Sequence, residues 1–328
     1  MNTEETIRFA IIGCGNVTEK KSGPAFQKVE GAELFAVMRR DAEKLRDYAY
    51  RHHVERYTTD YLELLKDPRV DAVYIATPPD MHCFYTLEAA RFHKHVYVEK
   101  PMARTVAECR DMIAACKKAE VALFVAYYRR AQPKFLKARE LIGEAIGHVR
   151  SFSYVYACPP LKLDPARPWL MDREISGGGL LYDVGSHMVN ALLFLLGDPI
   201  EVISRSANLS WVYESDDTHS VIMRFQNGVQ GVMQLSFCAA EQRDELWVSG
   251  ERGSVRMSFM DMEPVTLLQA GKMTVFPFEP LEHVQQPYIR RVTDTLLGRD
   301  DLDKSGAEGV LTQEILEAIS KGVSWQSV

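Results

Sequence analysis

Residues 7–26, IRFAIIGCGNVTEKKSGPAF, decide what kind of fold this chain adopts. A strand-like run from Ile7 to Ile12 ends on Gly13 and Gly15, and a polar, helix-compatible segment follows. In a dinucleotide-binding βαβ unit such glycines let the backbone turn sharply and approach a pyrophosphate seated at the N-terminus of the next helix. Thr18 stands at the third glycine position, so the full GxGxxG pattern is absent, and a lone GxG after a strand also fits an ordinary turn. Its place in the first strand of the chain favours the phosphate loop. Gly13, Gly15, Asn16 and Val17 are therefore the expected cofactor-binding residues of this loop.

Outward from that stretch, apolar strands alternate with helical segments as far as about Tyr127. The strands are IRFAIIG, LFAVM, DAVYIAT, HVYVEK and ALFVAYY, and the helices between them include DAEKLRDYAYRHH and VAECRDMIAACKKAE. Short, nearly all-apolar strands joined by helices imply a parallel sheet covered on both faces, a doubly wound Rossmann arrangement. After about Ala126 the texture changes to long strands of alternating character, broken at Asn-Gly, Arg-Gly and Ala-Gly turns. The expected class is α/β: an N-terminal domain over 1–125 that binds NAD(P), then a second domain over 126–328 with a mostly antiparallel sheet. Two closing segments look helical, and the C-terminal helix is expected to pack back on the first domain. At the end of the second strand, LFAVMRRD places Arg39 and Arg40 where an NAD-binding unit usually carries an acid for the ribose 2'-hydroxyl. Guanidinium groups pair with a 2'-phosphate, so NADP(H) is favoured over NAD(H). The plain alternative is two surface arginines with Asp41 as a helix cap.

With 328 residues, two cores are the natural prior. A hydrophobic fraction of 46% and a charged fraction of 26% are those of a globular protein. A net charge of −6 argues against nucleic acid and anionic membranes as partners. Six cysteines without a CxxC pair fit reduced thiols in a cytoplasm, no metal cluster is expected, and no apolar run is expected to be long enough to span a bilayer.

A second stretch, GGGLLYDVGSHMVNALLFLLG over 177–197, carries Asp183, His187 and Asn190 at helical spacings of four and three. On a helix those side chains share one face. They form either the solvated side of an amphipathic helix or an acid/base site with an apolar wall. The glycines at 177, 178, 179 and 185 would allow backbone to approach a ligand.

IIGCGNV, YIATPPDMH, HVYVEKPMA, the 177–197 stretch and VSGERGSVRM occur in the order found in the oxidoreductases named for glucose-fructose oxidoreductase, inositol dehydrogenase and MocA. The chain resembles that family over nearly its whole length. The resemblance implies a Rossmann domain followed by a substrate-binding and oligomerisation domain with an open, mostly antiparallel sheet that forms homodimers or homotetramers, acting on a sugar, polyol or related small molecule. It implies Lys100, Asp183 and His187 as the catalytic group, Thr77 and Pro78 along the nucleotide, and Glu99 beside the nicotinamide ribose. Tyr128, Arg130, Arg167 and Trp169 lie in segments that resemble substrate-lining parts of the family, and Asn190 replaces an aspartate found in many relatives. An amide cannot exchange a proton at ordinary pH, but it can orient a hydroxyl. The arginine pair resembles that of NADP-using relatives, anhydrofructose reductases among them.

The chemistry then follows. Hydride transfer to or from a carbinol carbon needs a matched proton transfer at its oxygen, which histidine can perform near neutrality. His187 is the expected acid/base. Lys100, at the carboxyl end of a strand where ligands collect, would polarise the oxygen, and Asp183 would hold the imidazole. On this reading the stripe faces a cleft between the domains. Two other classes remain open: a cofactor-sensing regulator, which would have no use for all three catalytic residues, and a glycosidase with tightly bound NAD, which the arginine pair disfavours.

Overall fold

The computed structural model describes residues 6–161 and 167–327. The chain divides into two compact units, Met1–Ala131 with Leu281–Leu311, and Gln132–Pro280 with Thr312–Val328.

The first unit is built on β1 (Ile7–Ile12), α1 (Asn16–Lys20), α2 (Gly23–Phe26), β2 (Ala32–Met38), α3 (Ala42–Arg51), β3 (Tyr57–Thr58), α4 (Tyr61–Lys66), β4 (Ala72–Ile75), α5 (His82–Arg91), β5 (His95–Val98), α6 (Val106–Lys118) and β6 (Leu123–Val125). Its six strands run parallel in the order β3-β2-β1-β4-β5-β6. The order reverses between β1 and β4, and ligands of such sheets collect beyond the strand ends at that crossover. The strands are apolar because both faces are covered. Phe9 and Ile11 of β1 enter one core cluster and Ala10 and Ile12 the other, the period of two that a strand imposes. Asp41, Asp60 and Thr105 accept backbone N–H groups as N-caps of α3, α4 and α6, which is why those helices start where they do. The two-residue β3 was not anticipated.

The second unit contains α7 (Pro133–Glu140), β7 (Val149–Ala157), α8 (Arg173–Ser176), α9 (Ser186–Leu196), β8 (Pro199–Ala207), β9 (Thr218–Phe225), β10 (Gln230–Ser236), β11 (Arg243–Gly250), β12 (Ser254–Met257), β13 (Val265–Gln269) and β14 (Lys272–Phe276). With β15 (Trp325–Gln326) these strands form one sheet ordered β14-β13-β12-β11-β7-β10-β9-β8-β15, antiparallel except for β7 and β10. Strand β8 stops at Ala207, although the composition stays strand-like as far as Tyr213. The buried carboxylate of Asp217 draws in the N–H groups of Leu209 (3.0 Å) and Ser210 (2.9 Å), turning that segment into a loop.

Helix α10 (Gln286–Leu296) belongs to the first unit, where Tyr288, Ile289 and Val292 join the cluster around Phe9 and Tyr97. Helix α11 (Ala307–Lys321) follows. One apolar segment does reach membrane-spanning length, contrary to expectation. It is Arg173–Leu196, but 83% of its most apolar part is buried within the protein, as in the core helix of a globular unit.

Candidate active site

The glycine loop sits where the sheet order reverses. Gly13 has a φ of +91°, a conformation that glycine adopts without strain, and the N–H groups of Gly13 and Cys14 bond back to the Met38 carbonyl at 2.9 and 3.1 Å. A Cβ on Gly13 would lie 2.7 Å from Thr77 Cγ2, so this position must be glycine for β1 and β4 to end side by side. Thr18 explains the missing third glycine. It is buried, and its hydroxyl donates to the Gly15 carbonyl (2.8 Å) while accepting the Gly15 N–H (2.9 Å). The close approach falls instead on Gly23, where a Cβ would stand 2.2 Å from the Thr18 carbonyl oxygen and 2.4 Å from the Tyr48 hydroxyl. Burial pushes the Cys14 thiol up to about 12, which removes it as a nucleophile.

Arg39 is laid against this loop, with Nη1 donating to the Cys14 carbonyl at 3.1 Å. Arg40 is exposed beside it. The nearest acid, Asp41, caps α3 by accepting the Lys44 N–H at 3.1 Å, and that bond holds its carboxyl below the usual range. Beyond β4, Thr77 Oγ1 and Asp80 Oδ1 are buried without a protein partner. The Thr77 hydroxyl, orphaned beside the glycine loop, and the guanidinium at the loop's edge are donors of the kind a dinucleotide needs. The residues present therefore fit an NAD(P) cofactor.

Beyond β5 lie Glu99 and Lys100. Glu99 is buried, and its Oε1 accepts from the Tyr74 hydroxyl (2.5 Å) and Gln285 Nε2 (2.6 Å), while Oε2 accepts the Lys100 N–H (3.1 Å). Burial, and then the Glu99 charge, hold the Tyr74 hydroxyl well above the usual tyrosine range, so it remains a donor. Gln285 in turn accepts from the Tyr97 hydroxyl at 2.8 Å. Lys100 thus stands on a loop whose backbone is tied to a satisfied buried carboxylate. Tyr128 is packed in the apolar cluster with Phe26 and Tyr97, and Arg130 pairs with Glu308, so packing and ion pairing occupy two of the side chains considered for the substrate.

In the second unit the polar stripe is not a solvated face. His187 is 6% exposed and Asn190 2%, and nearly every other residue of α9 is buried too. The helix is also not regular: Leu181–Gly185 forms a π turn ahead of α9, so Asp183 does not follow the 3.6-residue phase assumed from its spacing. Asp183 Oδ2 lies 3.3 Å from Arg167 Nη1, an ion pair that joins two residues given separate roles from sequence. Asn190 gives an amide hydrogen to Thr312 Oγ1 at 3.1 Å. Trp169 lies half-buried in the short turn Pro168–Leu170. The glycines before the stripe serve the protein's own packing: a Cβ on Gly178 would meet the Tyr182 ring at 2.3 Å, and one on Gly185 would meet Leu181 Cδ1 at 2.9 Å.

Residues 7–127 match the family described as "Oxidoreductase family, NAD-binding Rossmann fold", and residues 135–256 match the GFO/IDH/MocA C-terminal domain. The chain belongs to the Gfo/Idh/MocA oxidoreductase family. An oxidoreductase of Formosa agariphila is 36% identical over 96% of this chain and 98% of its own length. A 1,5-anhydro-D-fructose reductase of Ensifer adhaerens is 30% identical, covering 92% of both chains. Among solved structures, aldose-aldose oxidoreductase from Caulobacter crescentus, complexed with glycerol, superposes with a TM-score of 0.87 at 27% identity, covering 98% of this chain and 100% of that one. The Gfo/Idh/MocA protein described here is accordingly an NAD(P)-binding oxidoreductase of a sugar and polyol family acting on CH–OH groups.

Proposed function

We propose that this protein is an NADP(H)-dependent oxidoreductase that moves a hydride between the cofactor and a carbonyl or secondary alcohol of a sugar, polyol or related small molecule. One observation carries the cofactor choice: Arg39 lies on the glycine loop at 3.1 Å from the Cys14 carbonyl, while Asp41 is spent on a helix cap. A guanidinium there meets a 2'-phosphate, whereas an acid would repel it. Gly13, Gly15, Asn16, Val17, Arg39, Arg40, Thr77, Pro78, Glu99 and Lys100 hold the cofactor, whose bound nicotinamide supplies or accepts the hydride. The first unit is on this reading the nucleotide domain, and the second the substrate and oligomerisation domain.

Lys100, Asp183 and His187 are the catalytic group. The Lys100 ammonium polarises the substrate oxygen, and the His187 imidazole gives or takes the proton at that oxygen. Asp183, charge-paired with Arg167, orients the imidazole or a substrate hydroxyl, and Arg167, Trp169 and Asn190 bound the substrate. A further copy of the chain is the expected partner, through the open face of the second sheet. Ile203, Ile222 and Val232 stand directly opposite one another on β8, β9 and β10, yet they are 39%, 51% and 48% exposed. Such an apolar row on a sheet face suits association. The six free thiols suit a reducing, cytoplasmic setting.

The test is NADPH oxidation followed by absorbance against keto sugars, dicarbonyls and inososes, with NADP reduction by the corresponding alcohols and NAD(H) in parallel. Turnover with the phosphorylated cofactor, lost in Lys100→Ala and His187→Ala while NADPH still binds, is expected. Unchanged turnover in both variants would remove the catalytic assignment. Tight NADPH binding without turnover of any compound would favour a cofactor sensor.

A further inference from the structure

One buried side chain of the first unit bridges two loops that the proposed function uses. His82 opens α5 and is fully buried. Its Nε2 lies 2.9 Å from the Thr77 carbonyl oxygen, and its Nδ1 lies 2.9 Å from the Pro101 carbonyl oxygen. Thr77 follows β4 and Pro101 follows β5, which are paired neighbours in the sheet, so one imidazole spans the ends of two strands. We propose that His82 is a positioning residue that ties the Thr77–Pro78 loop to the Lys100–Pro101 loop through both ring nitrogens and thereby fixes the reach of Lys100. Its kinetic consequence rests on the assignment of Lys100 to the catalytic group. The tie between the loops does not.

The partners are what make this contact informative. Carbonyl oxygens only accept, and neutral imidazole carries a single N–H, so both bonds form together only when both nitrogens are protonated. A neutral ring must leave one carbonyl facing a lone pair. Burial disfavours the charged ring and holds its pKa below the usual histidine value. The Thr77, Pro101 and Met102 backbone groups and the Glu99 charge act in the opposite sense. Glu99 is the charge that acts on the ring, and Lys100 follows it on the same loop. Asp80 lies in the turn before α5, and Glu88 and Arg91 pair with each other further along α5. Helix α6, which packs on α5, carries the Arg104–Glu108 pair at its head and then Arg110, Asp111, Lys117 and Lys118. Near neutrality the ring holds one loop, and on the acid side it holds both.

The experiment compares the full-length wild type, His82→Gln and His82→Ala by hydrogen–deuterium exchange without nucleotide, at about pH 4.5 and about pH 7.5, the lower value set well below the usual histidine pKa because burial lowers that of His82. Rates are corrected for the intrinsic pH dependence of exchange. Glutamine retains a donor for one carbonyl. In the wild type, exchange over 76–81 and 99–104 slows at the lower pH, and both variants lose that response. Kinetics of the same proteins should show kcat falling about 10- to 100-fold in His82→Ala and less in His82→Gln, because a catalytic group displaced by about 1 Å costs on that order. The KM for the carbonyl substrate changes far less. Should His82→Ala fail to fold, His82→Gln carries the comparison. Exchange in both segments that is identical in the wild type and His82→Gln at both pH values overturns the proposal, as does a His82→Gln enzyme with wild-type kcat and pH profile. A protein that binds no nicotinamide cofactor yet shows the pH-dependent exchange keeps the tie and overturns the proposed function instead.

Discussion

Exchanging Arg39 for aspartate together with Arg40 for alanine should turn the cofactor preference, and the size of the change follows from what Arg39 does in the structure. Its guanidinium has two separable tasks. It donates to the Cys14 carbonyl at 3.1 Å, which supports the glycine loop whichever cofactor is present. Its remaining N–H groups would meet the 2'-phosphate, which only NADP(H) carries. The first task is an ordinary hydrogen bond worth about 1 kcal/mol, so its loss lowers kcat/KM for both cofactors by about fivefold. The second is charge-assisted and worth about 1.5–3 kcal/mol per bond, or about 10- to 150-fold, and it acts on one cofactor alone. A new carboxylate facing the phosphate adds repulsion. The ratio of kcat/KM for NADP(H) to that for NAD(H) cancels the common loop damage and should fall by about 100-fold or more. Steady-state rates with each cofactor give the ratio, and fluorescence titration with NADH checks that the site survives. A ratio that moves by less than about threefold in a protein still binding NADH would refute the argument, because no charge-assisted contact is that weak.

Thr18→Val removes the hydroxyl that serves both the N–H and the carbonyl of Gly15, leaving a half-buried donor unpaired. It should destabilise by about 1–3 kcal/mol in urea unfolding, and an unaltered midpoint would mean that the loop is satisfied some other way. Gly23→Ala forces a methyl to within 2.2 Å of the Thr18 carbonyl, a backbone atom that cannot swing aside, and should lower the melting temperature. A rise in melting temperature would contradict the packing. Asp217 links stability to acid. Burial alone would raise its pKa, but hydrogen bonds from Leu209 and Ser210 bring it from 3.8 down to about 2. The folded value lies below the unfolded one, so the unfolded chain takes up the proton first as pH falls. The stabilisation is whole above 3.8 and drains away toward about 2. Asp217→Asn should therefore cost about 2 kcal/mol at neutral pH and much less near the lower limit, and a penalty independent of pH would rule the linkage out.

The first sheet was legible because both of its faces are covered: each strand must then be almost wholly apolar, and helices must separate the strands. Antiparallel strands in the second unit were legible from alternation and from glycine turns such as Ala270–Gly271, where both φ angles are positive. What sequence hid was any structure set by a partner far along the chain. The segment 208–213 has strand-like composition, and only the capture of its N–H groups by Asp217 takes it out of the sheet. The spacing of Asp183 and His187 suggests one helical face, yet a spacing of four fits a π turn as readily as an α turn. Arg167 and Asp183 were each visible as candidates, but their pairing needed coordinates. His82 was in plain view within YIATPPDMH, without any local feature to show that two carbonyls would converge on it.

The same limit bears on which residues make up the site. Glu99 is buried, and a buried carboxylate is tolerable only if donors surround it. Tyr74 comes from the neighbouring strand and the Lys100 N–H from the next residue, so both lie within the first sheet's own run of strands. The remaining donor, Gln285, lies 186 residues further along and is fully buried. Its own oxygen is held by Tyr97, which fixes the amide so that nitrogen faces Glu99. Residues 281–311 therefore belong to the nucleotide half of the protein for a chemical reason as well as a packing one. They complete the hydrogen bonding of the carboxylate that anchors the Lys100 loop. A first sheet assembled without them would have the right strand order and a lysine on the right loop, but the loop would hang from a buried charge one donor short.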